Sequence, residues 1–203
     1  MIKCSINDVN LKLFTDSKLF SPNHIDIGTL TMLSKIKLHP EMKILDLGCG
    51  YGVIGIYAAH FCGASNVTMV DINPIAVKIS KKNIIYNEMK EISVFQSDGF
   101  NNIKEKEFDI IFSNPPYHAD FSVPKHFIED AFYHLKYGGK LIMATKRYKW
   151  YKNKLIAIFG GVTIKHENGY YIFIAEKRLS HKNTNKRQPK LSKKLHRKYN
   201  SPY

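Results

Sequence analysis

Asp46-Leu47-Gly48-Cys49-Gly50-Tyr51-Gly52 stands directly behind the apolar pair Ile44-Leu45, and the run reads as a strand ending in a glycine-rich turn that opens a helix. Such a turn makes a nucleotide-cofactor site. Glycine lets the backbone take positive φ and approach a ligand closely, and the helix N-terminus behind it offers unpaired N–H donors. The glycines fall at 48, 50 and 52, with Val53 where a dinucleotide fingerprint has its third glycine, which disfavours NAD. A second strand, Val67-Thr68-Met69-Val70, ends in Asp71, 21 positions beyond Gly50. An acid there accepts hydrogen bonds from both hydroxyls of a ribose. The competing role is capping the next helix, which Asn73 ahead of Pro74 already serves. A third strand, Ile110-Ile111-Phe112-Ser113, runs into Asn114-Pro115-Pro116-Tyr117: an amide, two prolines and an aromatic. A lone copy of that tetrapeptide is an ordinary turn, but its place behind a strand raises it to a site element.

In this order and spacing the three motifs resemble a class I S-adenosylmethionine-dependent methyltransferase. More closely, they resemble the methyltransferase small domain family, which includes ribosomal RNA guanine-N2 methyltransferases and relatives that modify other amino nitrogens. The resemblance runs from about Phe14 to Lys177. It implies S-adenosyl-L-methionine as cofactor, held by Gly48, Cys49 and Gly50, by Asp71 at the ribose, and by Ile72 against the adenine face. Ser97-Asp98-Gly99-Phe100 is similar to the family element that hydrogen-bonds the adenine amino group, which gives Asp98 and Gly99 that place; Asp98 by itself is equally a turn residue. Asp46 either faces the cofactor's amino-acid portion or fixes the loop by accepting N–H bonds, and both roles use an ionised acid. Phe20, Asp26 and Thr29 resemble family elements that pack over the methionine end, although Phe14 and Phe20 are by type more often core or lid residues.

The same resemblance places catalysis at Asn114, Pro115, Pro116 and Tyr117, with Asn114 also bordering the cofactor, and the residue types suit the chemistry. An exocyclic amine of a nucleobase is a poor nucleophile because its lone pair is delocalised into the ring. Two acceptors that each take one N–H, the Asn114 side-chain oxygen and the Pro115 carbonyl, turn that lone pair toward the sulfonium methyl. Proline fixes φ and removes competing donors, and Tyr117 offers a face for a base extruded from its stack. Catalysis is then mainly alignment, with no general base required. His118 is similar to a histidine that follows the motif in the rRNA branch; contact with substrate and orienting the loop or a phosphate are its candidate roles, and its neighbours supply no metal-ligand set. Cys49 has no identifiable His or acid partner, which argues against a nucleophile.

The elements that must position these residues alternate as strand and helix. They imply an α/β fold: a doubly wound, mostly parallel, seven-stranded Rossmann-like sheet ending in an antiparallel hairpin. The pattern predicts helices near 26–35, 53–61, 74–86, 126–135 and 149–159, with Tyr137-Gly138-Gly139 closing the fourth. It predicts strands at 43–47, 67–71, 92–96, 108–112, 140–144, 162–166 and 170–176, the last two joined through Glu167-Asn168-Gly169, a hairpin signal. His24, His39, His60 and His134 read as surface or helix-end residues.

A chain of 203 residues suits one such domain, expected over 1–178, followed by a tail over 179–203. Of 31 Lys and Arg, ten fall between Lys177 and Tyr203 with no acid among them. The tail has too few aliphatic residues to fold alone and reads as a disordered arm for RNA, with a solubility tail as the bland alternative. Three cysteines without a C-x-x-C pair point to neither a disulfide framework nor a metal site. The first 20 residues lack a signal-peptide pattern and no apolar run approaches the ~20 residues of a membrane helix, so a cytoplasmic location without a membrane partner is expected. The function expected is methyl transfer to an exocyclic amino nitrogen of RNA, foremost guanine N2 of ribosomal RNA, free or in a ribosomal particle. Protein glutamine N5 or adenine N6 methylation is the enzymatic alternative. A non-catalytic RNA-binding module that kept the fold is the other.

Overall fold

The computed structural model describes residues 1–115 and 120–178. Asn7 and Asp8 both take positive φ and join β1 (Ile2–Ile6) to β2 (Val9–Leu13) as a hairpin separate from the main sheet. Then follow α1 (Ile27–Leu33), β3 (Ile44–Leu47), α2 (Val53–Cys62), β4 (Val67–Asp71), α3 (Pro74–Tyr86), β5 (Ser93–Gln96), β6 (Phe108–Ser113) and α4 (Ser122–His134). The order closes with β7 (Leu135–Thr145), α5 (Tyr148–Phe159), β8 (Thr163–Glu167) and β9 (Tyr170–Glu176).

The sheet runs β5-β4-β3-β6-β7-β9-β8. Pairs from β5 through β7 are parallel, and β9 is antiparallel to both β7 and β8, with Asn168 and Gly169 at positive φ in the turn. The expected doubly wound sheet with a closing hairpin is therefore present. Strand alternation splits the apolar residues between two cores. Ile44, Met69 and Phe112 face α1, α2 and the N-terminal hairpin, while Leu45, Val70 and Ile111 face α4 and α5. The chain leaves β3 for β4 on one side and reaches β6 on the other, so the carboxyl ends of β3, β4 and β6 flank a topological switch point, where open α/β sheets bind ligands.

Two expectations need correction. The fourth helix starts at Ser122, ahead of the expected 126, because Pro124 is tolerated in a first turn that needs no N–H there. Nor do Tyr137-Gly138-Gly139 close it: Leu135 turns directly from helix to extended backbone, and both glycines lie inside β7. There the β6–β7 register shifts, Gly138 has a φ of 81°, and a Cβ on Gly139 would stand 2.7 Å from the Phe108 carbonyl oxygen. The glycines serve an irregular strand crossing. The N-terminal hairpin was not anticipated, although Ile2, Cys4 and Ile6 alternate with polar residues ahead of Asn7-Asp8.

Candidate functional site

Behind β3 the backbone doubles back at Gly48, Gly50 and Gly52, whose φ values are 77°, 56° and 94°. The turn is held from three sides. Gly48 and Cys49 donate to the Val70 carbonyl at 2.9 Å, Gly50 donates to Asp71 Oδ2 at 2.9 Å, and Ser80 and Asn83 on α3 donate to the carbonyls of Gly50 and Tyr51. A Cβ on Gly48 or Gly50 would meet no protein atom within 4 Å; both border a cavity of about 400 Å³. Burial pushes the Cys49 thiol well up from its ordinary pKa, and its sulfur lies 3.8 Å from the Ser80 hydroxyl, so the residue is an inert part of the turn.

Asp71 ends β4 at the cavity wall. Its Oδ1 accepts from Asn73 N–H at 2.8 Å, its Oδ2 from Gly50, and each oxygen keeps a lone pair for a ligand. Asn73 caps α3 through Ile75 N–H, as expected. Ile72 lies on the same wall with 60 % of its surface exposed, an unsatisfied apolar face next to a polar carboxylate. Asp98 and Gly99 line the cavity too, as do Val123 and Phe127 of α4, the Phe127 ring lying next to Gly99.

Asp46 takes one of its two expected roles. It is fully buried, does not line the cavity, and accepts Gly55 N–H of α2 at 3.0 Å, so it fastens the helix behind the loop. Burial, with the Asp71 charge adding to it, pushes its pKa up to about 7, so the expected ionised form shares neutral pH with the protonated one.

Asn114 lies where the sequence reading placed it, at the end of β6 and on the cavity. Its Nδ2 donates to Asp26 Oδ2 at 2.8 Å and to Thr29 Oγ1 at 2.9 Å. Turning the amide over would set its oxygen against the carboxylate, so the pair of acceptors fixes its orientation. Oδ1 is consequently aimed elsewhere, buried and without a hydrogen-bond partner among the described residues. Asp26 is itself held. It caps α1 through Thr29 N–H at 3.0 Å and accepts the buried Tyr170 hydroxyl from β9 at 2.7 Å. Gly28 makes room for this, since a Cβ there would stand 2.4 Å from the Tyr170 ring and 2.8 Å from Asp26 Oδ2.

Pro115 is buried on the cavity wall, while Pro116, Tyr117 and His118 lie outside the described residues, as does the segment 179–203. Phe20 lines the cavity; Phe14 does not, packing edge-on to Tyr86 under the Lys82 ammonium. His134 does end a helix, yet it is buried and lies 4.5 Å from the Phe100 ring. The sequence reading missed Tyr170, Ser80 and Asn83. Ser80 and Asn83, three apart on the apolar stripe of α3, were the available signal; Asn83 also bonds both backbone groups of Phe14. Among the described residues no His, Cys, Asp and Glu cluster suits a metal ion, and no helix is long and apolar enough to cross a membrane.

A family model described as "Methyltransferase small domain" matches residues 10–174. "Ribosomal RNA small subunit methyltransferase C" of Psychromonas ingrahamii is 33% identical over 171 residues, covering 82% of this chain and 48% of that protein. "Uncharacterized protein YbxB" of Bacillus subtilis is 32% identical over 170 residues, covering 80% of this chain and 84% of its own length. Among solved structures, "T. Thermophilus 16S rRNA N2 G1207 methyltransferase (RsmC) in complex with AdoMet and Guanosine" superposes with a TM-score of 0.81 at 25% identity, over 87% of this chain and 50% of that one. The chain thus spans about half the length of the relatives named for rRNA methylation.

Proposed function

The chain belongs to the methyltransferase small domain family, and from that membership we propose that it is an S-adenosylmethionine-dependent N-methyltransferase acting on RNA, foremost on guanine N2 of ribosomal RNA. One observation carries the reading: the buried Oδ1 of Asn114, without a hydrogen-bond partner among the described residues and held in orientation by Asp26 and Thr29 on the cavity that Asp71 and the glycine loop line. A buried acceptor left without a donor is costly, and an amino substrate would supply the donor. The names of the relatives, one of them bound to AdoMet and guanosine, support the same assignment.

The residues fit the cofactor. Asp71 keeps acceptor capacity for two ribose hydroxyls, Ile72 offers an apolar face to the adenine, Asp98 and Gly99 line the same cavity, and Gly48, Cys49 and Gly50 leave room for close backbone approach. S-adenosylmethionine, when bound, supplies an electrophilic sulfonium methyl. The work of the chain is then to align. Asn114 Oδ1 and the Pro115 carbonyl each take one N–H of the base amine, which points its lone pair at the methyl and prevents the amine from conjugating with the ring. Tyr117 is assigned the face on which the flipped base lies, and the basic segment from Leu179 onward the role of an RNA anchor. On this reading the protein works in the cytoplasm.

The test is mass mapping of modified nucleosides in ribosomal RNA from cells with and without the gene. One N2-methylguanosine lost on deletion, restored by the parent and not by Asn114→Ala, is expected. An unchanged nucleoside map refutes the guanine assignment; a missing methyladenosine transfers the activity to adenine, and a methylglutamine missing from a peptide map of the same cells transfers it to protein.

A further inference from the structure

We propose, resting on RNA as the substrate, that the start of α5 and the adjoining end of the β8–β9 hairpin form a platform that binds the single-stranded RNA flanking the target nucleotide. Residues 146–154 contain five cations, three aromatics and no acid. Lys154 pairs with buried Glu129 and belongs to the packing between α4 and α5. Three of the other four lie over rings. The Arg147 guanidinium lies 4.6 Å over Phe121, which stacks on Trp150 at 4.6 Å and 24°. Lys152 lies 5.4 Å over exposed Tyr148, whose ring is 4.9 Å from Tyr171, and Tyr171 stacks on exposed His166 at 4.3 Å and 15°. Lys146 and Lys149 are exposed.

The platform is joined to the site. Thr145, the last residue of β7, pairs with Tyr171, and the Lys146 ammonium lies 5.0 Å over the ring of Tyr170. The Tyr170 hydroxyl in turn bonds Asp26, which holds Asn114. Tyr170 and Tyr171 belong to opposite faces of the sheet, and β6 runs parallel beside β7 with Ser113 opposite Met143, so Asn114 and the start of α5 leave the same edge of the sheet. Of the acids nearby, Glu167 is engaged by Lys35, and Asp120 stands exposed ahead of Phe121. Rings interleaved with cations suit an unpaired strand, because every base has a face to stack and each phosphate a charge to meet, whereas a duplex keeps its base faces covered.

The full chain, without cofactor, is titrated into a fluorescein-labelled single-stranded RNA of about 15 nucleotides and into a duplex of the same sequence. Tyr148→Ala is expected to weaken single-strand binding about tenfold at an unchanged salt slope, while Tyr148→Phe, which keeps the ring, binds as the parent does. Lys149→Ala combined with Lys152→Ala lowers the slope of log affinity against log salt by about 1.4, roughly 0.7 for each lost phosphate contact. Duplex affinity does not respond to Tyr148→Ala. Parental single-strand affinity in Tyr148→Ala, or an equal loss on strand and duplex, overturns the platform. The readout needs no turnover, so the two proposals fail separately. A parent that binds the strand through Tyr148 but transfers no methyl keeps the platform and loses the methylation reading. A parent that methylates RNA while Tyr148→Ala binds it unchanged does the reverse.

Discussion

Asp46→Asn tests whether the carboxyl beneath the cofactor loop is a stabilising charge or a tolerated one. The side chain is fully buried, its Oδ2 accepts Gly55 N–H, and its Oδ1 has no hydrogen-bond partner among the described residues. Its pKa is about 7 in the folded chain against 3.8 in the unfolded one, so between those values the folded state holds a proton that the unfolded state has released. Stability from this group is therefore complete below about pH 4 and is lost as pH rises toward 7. Three units at 1.36 kcal/mol each amount to about 4 kcal/mol over the whole window, and about 3 kcal/mol of that falls between pH 5 and pH 8. Asparagine keeps the acceptor for Gly55 and cannot ionise. It also buries an amide group at the Oδ1 position, costing roughly 1–3 kcal/mol at every pH, so the informative quantity is the change in the parent-variant difference with pH. Urea denaturation of both chains at pH 5 and pH 8 measures it. The variant should gain on the parent by about 3 kcal/mol on passing from the lower to the higher pH. A difference that stays constant within about 1 kcal/mol would show that Asp46 remains ionised throughout and that water or motion solvates it.

Asp71→Ala removes both ribose acceptors and should weaken S-adenosylmethionine by tenfold or more, about 1–3 kcal/mol, as read by calorimetry; parental affinity refutes the assignment. Asn114→Ala should lower single-turnover methylation by roughly 10²-fold while calorimetry finds cofactor binding nearly unchanged, and a parental rate sinks the alignment argument. Gly28→Ala places a Cβ 2.4 Å from the Tyr170 ring and so pushes apart the pair that holds Asn114. It should lower both Tm and kcat, whereas Tyr170→Phe, which loses only the hydroxyl, should lower kcat with a smaller effect on Tm; equal kcat in the parent and both variants removes Tyr170 from the positioning network. Stopping the chain at Arg178 should flatten the salt dependence of RNA binding by several units and leave the melting curve as it was, and an unaltered slope makes the tail a solubility segment.

The strand ends that build the cavity were legible in the sequence because each carries its own local signal. Gly48, Gly50 and Gly52 mark positive φ, Asp71 and Asn114 follow runs of β-formers, Asn73-Pro74 opens a helix, and Asn168-Gly169 turns a hairpin. Such signals span a few residues and are set by φ preference and side-chain period. What orients Asn114 has no local trace. Its amide is held by Asp26, 88 positions earlier, and Asp26 by Tyr170, 144 positions later. Those three meet because the antiparallel β9 lies against β7 and α1 crosses their ends, and sheet order leaves no period along the chain. The ionisation of Asp46 is likewise tertiary: a carboxylate after a strand is common, and burial beneath the packed helix raises its pKa against the Gly55 N–H, which lowers it. The glycines at 138 and 139 resembled a helix stop for a related reason, since the Phe108 carbonyl that demands them belongs to a neighbouring strand. Sequence determined which residues stand at the carboxyl edge of the sheet; packing between distant elements decided which way their polar atoms point.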